Sequence, residues 1–296
     1  MRIGVSNLLW TRDLDADAAR LLNQRGIDAI DIAPTRYFGD VATATPGELH
    51  AIRRFWQEHG IEITGMQALL HGTEGLDIFG DAPMRRRTSR HLGAILEMGA
   101  ALGARQLVFG SGRNRDRGAL DLDDAIERAA DFFGELAAQA ARLGVCLSVE
   151  PISERYGNNF LVDHDEAARL VSRVGNAGFG LTLDIGCVAI AGEDVGEIVR
   201  KYGALIGHVQ LAEYQLAPLR ADNPTHALAG PVVRAALPGR VACIEALKPP
   251  DLSSLDAIAQ SLDVAQAHYD DSPDKPPNGP PDARLTDPPP EGAWPG

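Results

Sequence analysis

Positive charge is what this 296-residue chain has least of: 28 Lys and Arg stand against 41 Asp and Glu, a formal net charge of −13. Nucleic-acid binders draw their affinity from cations that neutralise phosphates, so this balance argues against that class. Cysteine is scarce too. Cys146, Cys187 and Cys243 lie far apart with no CxxC spacing, which argues against a disulfide framework and for a reduced, cytoplasmic setting. No apolar stretch approaches the roughly 20 residues of a membrane span, and MRIGVSNLLW opens as a strand rather than a signal peptide. Neither a GxGxxG turn after the first strand nor a Walker loop is present, so nucleotide binding has no support.

What is present is a 45% hydrophobic chain, enough for a large core. Through residues 1–270, short runs rich in Val, Ile and Leu alternate with longer Ala/Leu/Arg/Glu segments of helical spacing. The strand candidates are RIGVS (2–6), DAIDI (28–32), EITGMQA (62–68), QLVFG (106–110), VCLSVE (145–150), GLTLD (180–184), IGHVQL (206–211) and VACIEA (241–246). Helical stretches fall near 13–25, 46–59, 84–103, 121–143, 163–174, 193–202, 226–236 and 252–268. Several are closed by RGI, LGA or LGV, where glycine suits the helix end. Eight strands alternating with eight helices predict an α/β fold, a (β/α)8 TIM barrel occupying residues 1–270 as one catalytic domain. A doubly wound sheet is the alternative. From residue 271 the chain reads DSPDKPPNGPPDARLTDPPPEGAWPG, a composition that predicts a Pro-rich disordered tail over 271–296.

A barrel of this kind places its chemistry at the C-terminal ends of the strands. Four successive strand candidates carry an oxygen-bearing side chain there: Glu150, Asp184, Gln210 and Glu245. Alternation sets Cys146 and Ser148, Thr182, His208 and Cys243 deeper on the same inward faces. Three converging carboxylates would repel and hold protons unless a cation sits among them. One divalent metal ion with oxygen ligands is the economical expectation, Mn²⁺ or Mg²⁺, with Gln210 as a neutral ligand. Taken singly, each carboxylate also reads as a helix cap or a salt-bridge partner.

With these motifs in order, the chain resembles the sugar phosphate isomerase/epimerase superfamily of xylose isomerase-like TIM barrels. That group includes ketose 3-epimerases, hydroxypyruvate isomerase, inosose dehydratase and endonuclease IV. The resemblance covers residues 1 to about 268 and rests on SVEP (148–151), LDIG (183–186), HVQ (208–210) and IEA (244–246). The stretches DIAPTRYFGD (31–40) and MQALLHG (66–72) look like those of one subgroup. The resemblance implies one divalent metal on Glu150, Asp184, Gln210 and Glu245, with the two glutamates on opposite faces of a small-molecule carbohydrate substrate. Two departures stand out. Cys187 occupies a position where members often carry histidine, and HVQ replaces the common HxH, as it does in hydroxypyruvate isomerase-like members. The arginine of some ketose epimerases has no match at Leu216, although Arg220 is close. The several histidines of endonuclease IV are missing.

The expected activity is that of a metal-dependent isomerase or epimerase of a sugar, sugar phosphate or related ketone. Glu150 and Glu245 would be the acid/base pair that forms and quenches an enediolate. Loss of a β-hydroxyl from the same intermediate would instead make a keto-sugar or keto-cyclitol dehydratase, and a non-catalytic sugar-binding barrel is the third reading. His208, Glu213, Arg220, His71 and Trp10 are the candidate substrate contacts; for each, interior packing or surface charge is the ordinary alternative. Cys187 is expected to be a spectator. Arg36, Arg113, Arg115 and Arg117 follow the second and fourth strands and could reach the mouth to hold a phosphate or carboxylate. Neither a nucleic-acid nor a membrane partner is expected, and a homo-oligomer is compatible with this reading.

Overall fold

Eight short apolar runs become eight parallel strands: β1 (Arg2–Ser6), β2 (Ala29–Ile32), β3 (Glu62–Met66), β4 (Gln106–Phe109), β5 (Cys146–Val149), β6 (Phe179–Asp184), β7 (Ile206–Leu211) and β8 (Val241–Ile244). They close into a barrel in sequence order, β1 pairing with β8 so that Arg2 lies opposite Val241 and Val5 opposite Ile244. The computed structural model describes residues 1–270, and the Pro-rich segment 271–296, expected to be a tail, lies outside the described residues. Among the described residues the helices are α1 (Asp15–Gln24), α2 (Pro46–Glu58), α3 (Ala82–Leu102), α4 (Leu122–Leu143), α5 (His164–Val174), α6 (Ile185–Ala191), α7 (Val195–Tyr202), α8 (Pro224–Ala236) and α9 (Ser254–Tyr269).

The helices start and stop where side-chain chemistry dictates. Asp121 accepts the Asp124 N–H at 2.8 Å to open α4, and Thr45 with Glu48 forms a reciprocal capping box on α2. Gly103 and Gly144, at φ +91° and +70°, close α3 and α4 in the left-handed region that residues with a Cβ avoid. Between its ends α4 buries Ala125, Ile126, Ala129, Phe133, Leu136, Ala137 and Ala140, one apolar face at helical spacing. Phe133 joins that face to the barrel, its ring 5.5 Å from Phe109 at the end of β4 and 4.8 Å from Phe179 in β6.

One helix is additional to those expected. α6 starts directly at the end of β6 because the Asp184 carboxylate caps it, accepting the Cys187 N–H at 2.6 Å. Its sequence, IGCVAIA, has no polar face, so no helical period marks it.

Inside the barrel the alternation holds. Thr182 Oγ1 donates to Ser148 Oγ at 2.7 Å between β6 and β5, and His208 and Gln210 are both buried on β7. This fixes which face each strand turns inward as it reaches the rim. At the opposite, N-terminal end lies a groove lined by Arg2, Asp28, Arg53, Glu62 and Arg105, an end that serves stability rather than chemistry in barrels. Removing the fully buried ring on α4 tests the helix–barrel packing: Phe133→Ala is expected to lose about 3–5 kcal/mol in urea unfolding.

Candidate metal centre at the mouth of the barrel

Each strand from β5 to β8 delivers one polar side chain as it leaves the core. Glu150 follows β5, Asp184 ends β6, Gln210 lies near the end of β7 and Glu245 follows β8. All four are buried, none more than 9% exposed. Carboxylate oxygens of Glu150 and Asp184, together with Cys187 Sγ, lie within 4.8 Å of one another. The Cys187 thiol donates to Glu150 Oε1 at 3.5 Å. Cys187 therefore stands beside these two carboxylates.

Amides hold the other side. Glu245 is gripped twice, accepting Gln210 Nε2 on Oε2 at 2.7 Å and Gln67 Nε2 on Oε1 at 2.6 Å. With its nitrogen so committed, the Gln210 amide oxygen is buried and has no hydrogen-bond partner. A buried neutral oxygen without a partner, on the residue whose nitrogen holds Glu245, together with the close Glu150 and Asp184 carboxylates, is chemistry that suits a hard divalent cation, so these residues fit such an ion. Space for Glu150 comes from Gly110, just past β4, because a Cβ there would collide with Glu150 Oε2.

The electrostatics describe a cluster short of positive charge. Burial, then the neighbouring Asp184, pushes the Glu150 carboxyl up to about 8, with Arg115 opposing. Burial likewise raises Asp184 to about 6, against the pull of the Cys187 N–H that it accepts. Glu245 is held well above the usual carboxylate range by burial, then by Glu150, Asp184 and Asp31. Without a cation these carboxyls hold their protons to higher pH than free carboxyls do, and a bound metal would favour their release.

One layer down, His208 Nε2 lies 2.7 Å from Asp31 Oδ2, and Thr64 Oγ1 donates to Asp31 Oδ1 at 3.0 Å. Neither His208 Nε2 nor Asp31 Oδ2 completes a hydrogen bond, so the two meet by close approach alone. Asp31 has room on β2 because residue 65 is glycine, whose Cβ would stand 2.6 Å from the carboxylate.

The remaining sequence candidates lie in loops that follow strands at this rim. Glu213 accepts the Arg220 N–H at 2.6 Å and so closes the loop after β7. The exposed Arg220 guanidinium turns to Asp222, at 2.9 and 2.6 Å. His71 is exposed in the loop after β3, and Trp10 is buried, donating to Asp15 at 2.8 Å and meeting Trp56 edge-on at 6.2 Å. Of the arginines, Arg36 donates to the Leu8 carbonyl at 2.7 Å, Arg113 is exposed, Arg117 is spent on the Asn159 and Leu120 carbonyls, and Arg115 is buried.

Sequence reasoning missed Gln67 and Asp31 as members of the site. Gln67 offered a signal, since it sits just past a strand in the run EITGMQA, where the other site residues sit in theirs. Asp31 offered one as well, as a carboxylate enclosed by the apolar residues of DAIDI.

The chain belongs to the family described as the xylose isomerase-like TIM barrel, whose model matches residues 19–263. It is 30% identical over 190 residues to a Streptomyces coelicolor protein provisionally named as a hydroxypyruvate isomerase, a match covering 59% of this chain and 64% of that protein's length. Among solved structures it is similar to D-psicose 3-epimerase determined in the presence of D-fructose, with a TM-score of 0.73, 17% identity, and 90% and 99% of the two chains covered. The E. coli 3-keto-D-glucoside 4-epimerase superposes with a TM-score of 0.70 at 17% identity over 88% of this chain and 98% of that one. The IolI protein with a bound zinc atom gives a TM-score of 0.70 at 16% identity over 91% and 99%.

The raised carboxyls set a pH dependence with a definite sign. Glu150 and Asp184 titrate higher in the folded chain than in the unfolded one, so their contribution is full below about pH 4 and is lost as pH rises through about 6 and 8. The melting temperature of the metal-stripped protein is expected to fall by about 5 °C or more between pH 5 and pH 8. Added Mn²⁺ should raise it more at pH 8 than at pH 5. A flat profile in differential scanning calorimetry would contradict the raised carboxyls.

Proposed function

We propose that this protein is an isomerase or epimerase of a small sugar, sugar phosphate or related ketone, dependent on one divalent ion, Mn²⁺ or Mg²⁺. The observation that carries the reading is the close pair of buried carboxylates, Glu150 and Asp184, at the barrel mouth, with a buried, unpartnered amide oxygen on Gln210, whose nitrogen holds Glu245. Those four residues would hold the ion. When bound, a divalent cation polarises a carbonyl and so acidifies the neighbouring C–H.

The rest falls to the chain. Glu150 and Glu245 leave strands β5 and β8, so a substrate between them meets one carboxylate from each side. One takes the proton next to the carbonyl, leaving an enediolate, and the other returns it. Return to the opposite face of the same carbon is epimerisation; return to the neighbouring carbon is isomerisation. Gln67 and Gln210 fix the Glu245 carboxylate by one donor on each oxygen, and so set its angle to the substrate. Burial keeps water from quenching the intermediate. The provisional name of the Streptomyces coelicolor relative and the ketose and keto-glycoside epimerases of similar fold support this reaction class. The acidic charge supports a small-molecule substrate over nucleic acid, and no helix among the described residues is long and apolar enough to cross a membrane.

The test is a panel of ketoses incubated with Mn²⁺-loaded enzyme in D₂O and followed by NMR. Deuterium should enter at the carbon next to the carbonyl without loss of water, whereas an unsaturated product would make the protein a dehydratase. Glu150→Gln and Glu245→Gln should each slow that exchange by about 10²-fold or more. Full exchange in both variants would overturn the assignment of the pair.

A further inference from the structure

SGRNRDRG, the loop after β4 at 111–118, contains three arginines, and the structure gives them different fates. Arg113 is exposed, and Arg117 donates to backbone carbonyls. Arg115 is 1% exposed, and its Nε, Nη1 and Nη2 are all buried without a hydrogen-bond partner. A buried guanidinium ordinarily has a carboxylate or carbonyls to meet its five N–H groups, because leaving such a charge bare is costly.

Its surroundings point toward the carboxylate cluster. The carboxylate that acts on Arg115 most strongly is Glu150, in the cluster, followed by Glu166. Burial lowers its pKa only to about 10, so the side chain stays cationic at neutral pH.

The loop around it is fixed from both sides. Asn114 donates to the Leu76 carbonyl at 2.6 Å, and its own carbonyl accepts the Ile78 N–H at 3.0 Å. The Arg117 N–H and Nε donate to Asn159 at 3.2 and 2.6 Å. With its flanking residues pinned to the loops after β3 and β5, Arg115 cannot swing out to solvent without breaking those bonds. It is a planar, preorganised donor with its bonds unmade.

We propose that Arg115 receives an oxyanion carried by the substrate, a carboxylate or phosphoryl group next to the reacting ketone. The inference rests on the isomerase or epimerase reading for the identity of the ketone, and assigns Arg115 as a specificity residue within it. A guanidinium binds either oxyanion through two parallel N–H···O bonds, and a neutral hydroxyl in its place would leave donors unmet. Anionic ketones are therefore preferred over their neutral counterparts.

Dihydroxyacetone, dihydroxyacetone phosphate and hydroxypyruvate share the HOCH₂–C(=O)– unit and differ only at the third carbon. Their affinities for Mn²⁺-loaded wild-type, Arg115→Met and Arg115→Lys proteins are measured by calorimetry, and solvent deuterium exchange is followed in parallel. At least one anionic ketone should bind wild type about tenfold or more tightly than dihydroxyacetone, and which one does so distinguishes carboxylate from phosphate. Arg115→Met should close most of that gap, losing about tenfold or more on the anion and less on dihydroxyacetone. Arg115→Lys, the second variant should Arg115→Met fail to fold, should lose about threefold or more on the anion because it keeps the charge without the fork.

Equal affinity for all three ketones overturns the proposal. So does a variant that weakens all three alike, since Arg115 would then be holding Glu150 rather than an anion. Anion-selective binding with no exchange on any ketone leaves Arg115 in its role and removes the isomerase or epimerase reading. Exchange on dihydroxyacetone without anion preference does the reverse.

Discussion

Like charges brought together out of water are the constraint on which this site depends. Glu150, Asp184 and Glu245 reach one buried space from three strands, and each is held above its ordinary range, first of all by burial. The neighbouring features answer that crowding. Gly110 removes the Cβ that would strike Glu150, Gln67 and Gln210 place N–H donors on Glu245, and Asp184 accepts an N–H at the start of α6. Gln210 adds an oxygen donor without adding a fourth negative charge. Each is a neutral remedy; the Arg115 guanidinium opposes the rise of Glu150, yet all three carboxyls still stand above their ordinary range.

The loops that frame this space carry conformational strain of their own. Ala68, Leu161, Gln215 and Leu216 adopt positive φ between 53° and 56° without being glycine. All four lie in loops that follow β3, β5 and β7, on the face that bears the carboxylate cluster. Such backbone costs of order 1–3 kcal/mol per residue and persists where the surroundings fix it, commonly at ligand sites. In the same region the rings of Tyr156 and Tyr214 stack 6.1 Å apart, joining the loops after β5 and β7.

The strands were legible in the sequence because their apolar runs are short, evenly spaced and bounded by glycine or charge; their observed limits differ from the expected ones by two residues or fewer. That Glu150, Asp184, Gln210 and Glu245 stand at the closing ends of successive strands was legible for a related reason: each is an oxygen-bearing side chain at the close of such a run. α6 was not, because a short helix apolar on all sides and capped by the last residue of a strand has no period to detect. Asp31 and Gln67 escaped because their partners lie far along the chain: Asp31 meets His208, and Gln67 meets Glu245. Arg115 looked like its two neighbours in sequence, and only the packing of three loops separates it from them.

Calorimetric titration of Mn²⁺ into metal-stripped protein at pH 8, with Asp184→Asn as the paired variant, decides whether Glu150, Asp184, Gln210 and Glu245 hold one divalent ion. One ion per wild-type chain is expected, with proton release on binding and an affinity lowered by about 10²-fold or more in the variant. Absence of saturable binding, or equal affinity in the two proteins, would contradict that assignment.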